Sequence, residues 1–247
     1  MQHIVSNPAP PPPGATVGAA ASLDFPRPLV TVDVAIFSVL QDALQVLLVR
    51  RPDTREEPFA GRWALPGGFV DVARDASLLD CALRKLQDKT GVAAPYLEQL
   101  GSWGDAQRDP RGWCATHAYF ALLPVTGPAA AQDGWWAVED ACRQPLAFDH
   151  ATILAAALER LRSKVEYTSL PAFLLGETFT LPALQRVYEL VLGRPLDKSA
   201  FRRRMLDAGY LDEAGRAGGT AGRAAMHYRL RDRSRATVFP RGFRSGE

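Results

Sequence analysis

The sequence predicts an α/β fold, a three-layer α/β/α sandwich around a mixed sheet, followed by a small helix-turn-helix domain with a β wing. Three observations carry this. Runs rich in β-branched residues are interspersed with two amphipathic helical stretches over residues 25–164. Beyond residue 165, two short helices separated by a tight turn lead into a glycine-rich hairpin, the order of a winged helix-turn-helix. The charge changes sign at the same place. Residues 1–164 carry 15 Lys and Arg against 18 Asp and Glu, a net −3, whereas residues 165–247 carry 14 against 9, a net +5.

The first elements follow from local chemistry. Residues 1–24 contain the run Pro8-Ala-Pro-Pro-Pro-Pro13, which lacks the amide donors of a helix or inner strand, so a disordered arm is expected there. Val30–Val39 and Leu44–Arg50 read as strands joined by a short turn. Residues 51–61 are a polar loop, and Trp63-Ala-Leu-Pro-Gly-Gly68 enters a turn. Residues 77–89 form an amphipathic helix stopped by Gly91, with Leu78, Leu79, Ala82, Leu83 and Leu86 expected on its apolar face. Tyr96–Trp103 and Thr116–Leu123 read as strands flanking a loop over 104–115. A short strand at Trp135–Val138 and a helix over 149–164 complete a domain assigned to residues 25–164.

The second domain is assigned to residues 165–247. A helix over 181–192 begins with Pro182, whose missing N–H costs little in a first turn. After the turn Gly193-Arg-Pro-Leu-Asp197, residues 197–207 form a second helix. Gly209-Tyr-Leu211 then leads through a glycine-rich stretch, 212–225, to a strand at Met226–Arg231.

Composition narrows the function. With 47% hydrophobic and 23% charged residues the chain supports a packed core. Three scattered cysteines, Cys81, Cys114 and Cys142, offer neither a disulfide framework nor zinc-ligand spacing and fit a reducing cytoplasm. No run approaches the roughly 18 apolar residues of a membrane span, and the N-terminus lacks a signal peptide's basic and apolar regions. His117 and His150 are expected to be structural, and Cys81 has no evident base to make it a nucleophile.

One motif carries chemistry. Gly67-Gly-Phe-Val-Asp71, followed by Ala82-Leu-Arg-Lys-Leu-Gln-Asp-Lys-Thr-Gly-Val92, resembles the Nudix box, with Gly68, Arg84, Leu86, Gly91 and Val92 matching its pattern. Over residues 28–245 the chain resembles the Nudix-related transcriptional regulators of NAD metabolism, which join a Nudix-like domain to a winged helix and act as dimers. The box departs from the family pattern at its glutamates. Lys85, Asp88 and Lys89 stand at those helix positions, two residues are inserted between Gly68 and Arg84, and Asp71 and Asp75 are the nearest acids to the upstream glutamate. Three carboxylates would hold Mg²⁺ through oxygen ligands, whereas Lys-Asp-Lys inverts the charge. The expectation is a non-catalytic domain with no cofactor and no metal, Arg84, Lys85 and Asp88 lying opposite the apolar face.

An inverted charge suits an anionic ligand. Arg108-Asp-Pro-Arg111 places two arginines around a turn, and arginine pairs with phosphate in bidentate fashion. In the resembled family such a stretch accompanies recognition of ADP-ribose-like nucleotides. The expected ligand residues are Arg108, Arg111, Trp103, Phe69, Lys85 and Arg62, with Trp103, Trp113 or Phe69 as stacking surfaces. In the helix over 197–207, Phe201, Met205 and Ala208 share the inner face, so Ser199 and Arg203 point outward with Arg202 and Arg204 beside them. The expected DNA-binding residues are Lys198, Ser199, Arg202, Arg203, Arg204, His227 and Arg229, with Arg223, Arg231, Arg233 and Arg235 also in or beyond the wing. The resemblance implies a cytoplasmic, homodimeric regulator, a repressor, whose partners are operator DNA and an NAD-related nucleotide such as ADP-ribose. The alternatives are an active Nudix hydrolase of ADP-ribose or a related dinucleotide, with Asp71, Asp75 and Asp88 as metal ligands, and a sugar-catabolism regulator of the same architecture.

Overall fold

The computed structural model describes residues 26–92, 96–124, 133–216, 225–240 and 243. The proline-rich arm and Arg223 lie outside them. The central sheet has the order β6 (Tyr96–Asp109), β7 (Gly112–Leu122), β1 (Leu29–Leu40), β2 (Ala43–Leu47), β8 (Trp135–Ala137), with β5 (Gly67–Phe69) also paired to β1, and β3 (Val49–Arg50) and β4 (Trp63–Ala64) form a separate pair. Its centre is β1, parallel to β7 along one edge. Along the other edge β2 pairs with its second half and β5 with its first, both antiparallel. The mixed sheet is therefore present as expected. The turn between β1 and β2 is two residues long, Gln41 (φ 51°) and Asp42 (φ 60°), the handedness that matches strand twist in a hairpin.

Side chains alternate across β1. Val32, Val34 and Ile36 face α1 (Leu78–Thr90) in one apolar cluster, whereas Ala35 and Phe37 face α3 (His150–Val165) in another. The helix α1 is set by its ends. Ser77 accepts the N–H of Asp80, and Gly91 closes the helix in the left-handed conformation. Its buried face is Cys81, Ala82, Leu86 and Thr90, while Leu79 and Leu83, expected inside, are exposed. The face is rotated toward the sheet, so Lys85 lies on the inner side next to Ala82 rather than opposite it.

The stretch 104–115, read above as a loop, is an extended hairpin. Strand β6 (Tyr96–Asp109) continues to the tip, and β7 returns from Gly112. Its polar sequence reflects an edge strand rather than a loop. After β8 (Trp135–Ala137) comes the short helix α2 (Val138–Ala141), then α3.

Beyond α3 a 3₁₀ helix (Leu170–Leu174) leads to β9 (Phe179–Thr180), α4 (Leu181–Leu192), α5 (Lys198–Asp207), β10 (Leu211–Arg216) and β11 (Met226–Leu230). Strand order β10-β11-β9 makes the wing sheet. The glycine-rich stretch thus begins as a strand. Thr180 and Asp197 cap α4 and α5 through their side chains. The apolar cluster that lies between the sheet and α3 continues without a break into this second part. Phe120, Ile153 and Leu161 belong to the same cluster as Phe173, Tyr188, Phe201 and Met205, and the ring of Tyr96 lies 5.2 Å from that of Phe173. Among the described residues no helix is long and apolar enough to cross a membrane.

Candidate functional site

A cavity of about 250 Å³ opens where β1, β5, the tip of the β6–β7 hairpin and the start of α3 meet. Thr31 and Asp33 of β1 form its floor together with Arg108. Asp33 is buried, and Gly67 is glycine because a Cβ there would fall 2.0 Å from Asp33 Oδ1. Arg108 Nη2 donates to Asp33 Oδ2 (2.7 Å), Nη1 approaches Thr31 Oγ1 (3.4 Å), and Nε reaches Asp149 Oδ2 (3.1 Å). Thr116 Oγ1 donates to the same Asp33 oxygen at 2.8 Å. His150 accepts the Leu65 N–H on Nδ1 (2.9 Å), so its ring proton sits on Nε2, which faces Asp33 Oδ2 at 3.5 Å. Burial pushes the Asp33 carboxyl up. Its neighbours His150, Arg108 and Thr116 more than offset this and hold it at about 2.

The walls are aromatic and cationic. Arg111 is fixed by Asp109, with Nε to Oδ1 at 3.0 Å and Nη2 to Oδ2 at 2.8 Å, and its guanidinium lies 4.9 Å from the Phe69 ring centroid. Arg51 sits 4.7 Å from the Phe148 centroid, and Phe148 holds φ 53°, a conformation rare for an aromatic residue. Five cationic residues, Arg50, Arg51, Lys89, Arg108 and Arg111, line the cavity against a single lining acid, Asp33, which Arg108 already pairs. Gly68 (φ 139°) is also on the lining, and Lys85 lies against it, since a Cβ on Gly68 would stand 2.9 Å from Lys85 Nζ.

The predicted ligand residues divide. Phe69, Arg108 and Arg111 line the cavity, and Lys85 adjoins it. Arg108, expected to grip a phosphate, instead spends its donors on Asp33, Thr31 and Asp149 as part of the floor. Trp103 is elsewhere, in a separate hollow of about 420 Å³ between β6 and α3 with Ser102, Glu159 and Arg160. Trp113 is exposed and outside the cavity lining. Arg62 is also outside it, its guanidinium 5.7 Å from the Phe59 ring. Sequence reasoning missed Arg50, Arg51 and Phe148. The paired arginines at the end of an apolar strand were a usable signal, whereas Phe148 offered none.

Magnesium is the ion this motif implies, and the residues present do not fit it. Asp75 is buried and held by Arg84, Nε to Oδ1 at 2.7 Å with Nη2 on Oδ2, which keeps its carboxyl well below the usual range. Asp88 is exposed and faces Arg84 at 3.9 Å. Among the described residues no three His, Cys, Asp or Glu side chains are grouped to hold a metal ion. Burial and the adjacent Asp75 push the Cys81 thiol up to about 11, so it is no nucleophile at neutral pH.

The second candidate surface is α5 and the wing. Phe201 and Met205 are buried, and Lys198, Ser199, Arg202 and Arg203 are exposed. Arg204 departs from the expected phosphate-facing position. It is tucked inward, 3.8 Å from the Phe243 centroid and 5.1 Å from that of Phe239, with Nη2 3.4 Å from the Glu166 carbonyl oxygen. On β11, Tyr228 and Leu230 point in, Arg229 is exposed and His227 half-buried. Arg231 pairs with Asp212 at 2.8 Å, Arg233 donates to the carbonyls of Leu175 and Gly176, and Arg235 faces Asp232 at 3.3 Å.

Two family models match the chain, a NUDIX domain over residues 30–157 and an NrtR DNA-binding winged helix domain over residues 171–230. The ADPR responsive transcriptional repressor NtrR of Acinetobacter baylyi is 45% identical over 223 residues, 88% of each chain. The chain belongs to the NrtR family. A crystal structure of Shewanella oneidensis NrtR complexed with a 27mer DNA superposes with a TM-score of 0.78 at 42% identity, covering 87% of this chain and 99% of that one. Outside the NrtR regulators, the Nudix part is similar to the ADP-ribose pyrophosphatase of Methanocaldococcus jannaschii, 32% identical over 124 residues, 49% of this chain and 70% of that protein.

Proposed function

We propose that this protein is a transcriptional repressor that binds operator DNA through α5 and the wing and responds to ADP-ribose, or a closely related NAD-derived nucleotide, bound in the Nudix cavity. The observation that carries the reading is the cavity's composition: five cationic residues, one acid already neutralised, and an exposed phenyl ring, Phe69, under Arg111. A dinucleotide-like ligand offers a diphosphate to the first and a flat base or a ribose to the second. Arg111, more exposed than Arg51, is the phosphate partner in this reading, Arg51 is held by Glu57 and the Pro58 carbonyl, and Arg108 shapes the floor. Relatives named as an ADPR-responsive repressor and an ADP-ribose pyrophosphatase support the same ligand class.

The domain binds without hydrolysing. Phosphoanhydride cleavage in this fold relies on a metal to activate water, and Lys85 and Lys89 stand where metal-binding carboxylates are needed. The protein acts as a homodimer in the cytoplasm, because one winged helix contacts too few base pairs to select a site and two related by a dyad read a palindrome. Its regulated genes belong to NAD metabolism.

The test is fluorescence anisotropy on DNA from upstream of the protein's own gene, with ADP-ribose, NAD or ribose 5-phosphate added. Operator binding altered by ADP-ribose and indifferent to the sugar phosphate supports the reading. A response to the sugar phosphate alone points to sugar catabolism, and no DNA binding overturns it.

A further inference from the structure

Three consecutive residues at the start of α3 belong to the cavity or its floor. Phe148 lies under Arg51, Asp149 accepts from Arg108 Nε, and His150 is fixed by the Leu65 amide beside Asp33. From there α3 runs 16 residues, roughly 24 Å at 1.5 Å per residue. Ile153, Leu154, Ala157, Leu158, Leu161 and Val165 bury one side of it in the shared core, so it moves as a rigid body.

Its far end is shared: Lys164 pairs with Glu98 of β6 and Arg162 Nη2 reaches Glu139 of α2 at 3.2 Å, while further contacts come from the winged helix. Arg162 Nε donates to the Val191 carbonyl at the end of α4 (3.1 Å). Arg194, between α4 and α5, reaches the Glu166 carboxylate at 3.1 Å. Arg204 of α5 and the Phe243 amide both approach the Glu166 carbonyl, at 3.4 and 2.8 Å. A single helix thus begins at the effector cavity and ends on the helix that carries Arg202 and Arg203. A second route exists along β1, from Thr31 and Asp33 to the exposed Asp42–Arg186 ion pair on α4, but that pair is half-exposed on both sides and therefore weak.

We propose that α3 is the element through which effector occupancy reaches the recognition helix, with Asp149 and Glu166 as its coupling ends. The inference rests on the nucleotide-sensing reading above. A diphosphate held by Arg111 places negative charge above the Arg108 floor, where it repels the Asp149 carboxylate at the start of α3. The loosened helix start then lets α3 take a second position, and Glu166 carries that shift to Arg194 and Arg204. Helix shifts of about 1–2 Å are enough to repack such contacts.

The experiment measures coupling in the full-length protein. Operator affinity is determined by anisotropy with and without saturating ADP-ribose, and ADP-ribose affinity by calorimetry with and without operator. Linkage requires the two ratios to agree, and couplings of this kind are typically about 5–150-fold. Asp149→Asn and Glu166→Ala are each expected to bring the ratio below about 3-fold, from opposite ends of the helix, with thermal melts confirming folded protein. Arg186→Ala keeps the wild-type ratio. Glu166→Ala touches neither ligand and leaves both separate affinities near wild type. Wild-type coupling retained in both α3 variants overturns the proposal, as does loss of coupling in Arg186→Ala alone. No coupling in the wild-type protein overturns it together with the sensing reading, so the two failures are distinguishable.

Discussion

The guanidinium carbon of Arg204 lies 3.8 Å from the ring centroid of Phe243, inside the winged helix rather than on its outer face. Burial lowers the pKa of Arg204, as expected for a cation withdrawn from water. Its neighbour Arg203 is exposed. The two therefore fail in different ways. Arg204→Ala is expected to cost about 1–2 kcal/mol of stability through the lost cation–π contacts and packing, read as a lower Tm. Arg203→Ala leaves Tm unchanged, costs about 1–3 kcal/mol in operator binding and relaxes preference at one base pair per half-site. Arg202→Ala weakens all sequences alike and reduces the salt slope by about one. Melting curves and a salt series on operator and scrambled DNA check all three.

A similar division holds in the cavity. Arg108 is buried and pairs with Asp33, so Arg108→Ala strands a buried carboxylate and costs about 3–5 kcal/mol of stability. The Arg111 side chain is 39% exposed. Arg111→Ala is expected to leave the fold intact and to weaken ADP-ribose binding by about 1.5–3 kcal/mol, the worth of a charge-assisted hydrogen bond. Chemical denaturation and calorimetry on the two variants separate the roles, and unchanged affinity in Arg111→Ala moves the phosphates elsewhere.

The contrast between Arg108 and Arg204 on one side and Arg111 and Arg203 on the other shows what the sequence made legible. The ends of α1 were readable from Ser77 and Gly91, and the inner face of α5 from the spacing of Phe201 and Met205. Those features depend on residues within one or two turns. Arg204 is captured by Phe239 and Phe243, more than thirty residues downstream, and Arg108 by Asp33, seventy-five residues upstream. Nothing local announces either partner. Trp103 failed for a related reason: its place on the edge strand β6 faces α3 and a different hollow. The hairpin over 104–115 was missed because an edge strand with polar side chains carries no alternation to detect.

Acid should expose the floor of the cavity. The Asp33 pKa is about 2 in the folded protein against 3.8 for the unperturbed group. A carboxyl with a depressed folded-state pKa contributes stability that is present above 3.8 and lost as the pH falls toward 2. The contribution is about 2 kcal/mol. Urea denaturation at pH 5, 4, 3 and 2 is expected to show this loss, and Asp33→Asn should be less stable at pH 5 yet flatter across that window.

Magnesium-dependent AMP release from ADP-ribose is expected to be absent. The double substitution Lys85→Glu and Lys89→Glu should create measurable Mn²⁺ affinity by calorimetry, because it turns two cations beside Gly68 and the cavity into oxygen ligands. Robust turnover by the unaltered protein contradicts the non-catalytic reading.

The apolar cluster that runs unbroken from Phe120 to Met205 has a consequence for how the molecule comes apart. A sensor and a reader joined by a flexible tether would melt as two separate events and could each be expressed alone. Here Tyr96 leans on Phe173, and the buried side of α3 packs against residues from both parts, so neither half owns a finished interior. Heating should produce one calorimetric transition, with van't Hoff and calorimetric enthalpies in agreement. Truncation after residue 164 exposes the Nudix side of this shared cluster to water and is expected to lower the Tm of the remaining domain. The reader domain is thus also a structural wall of the sensor.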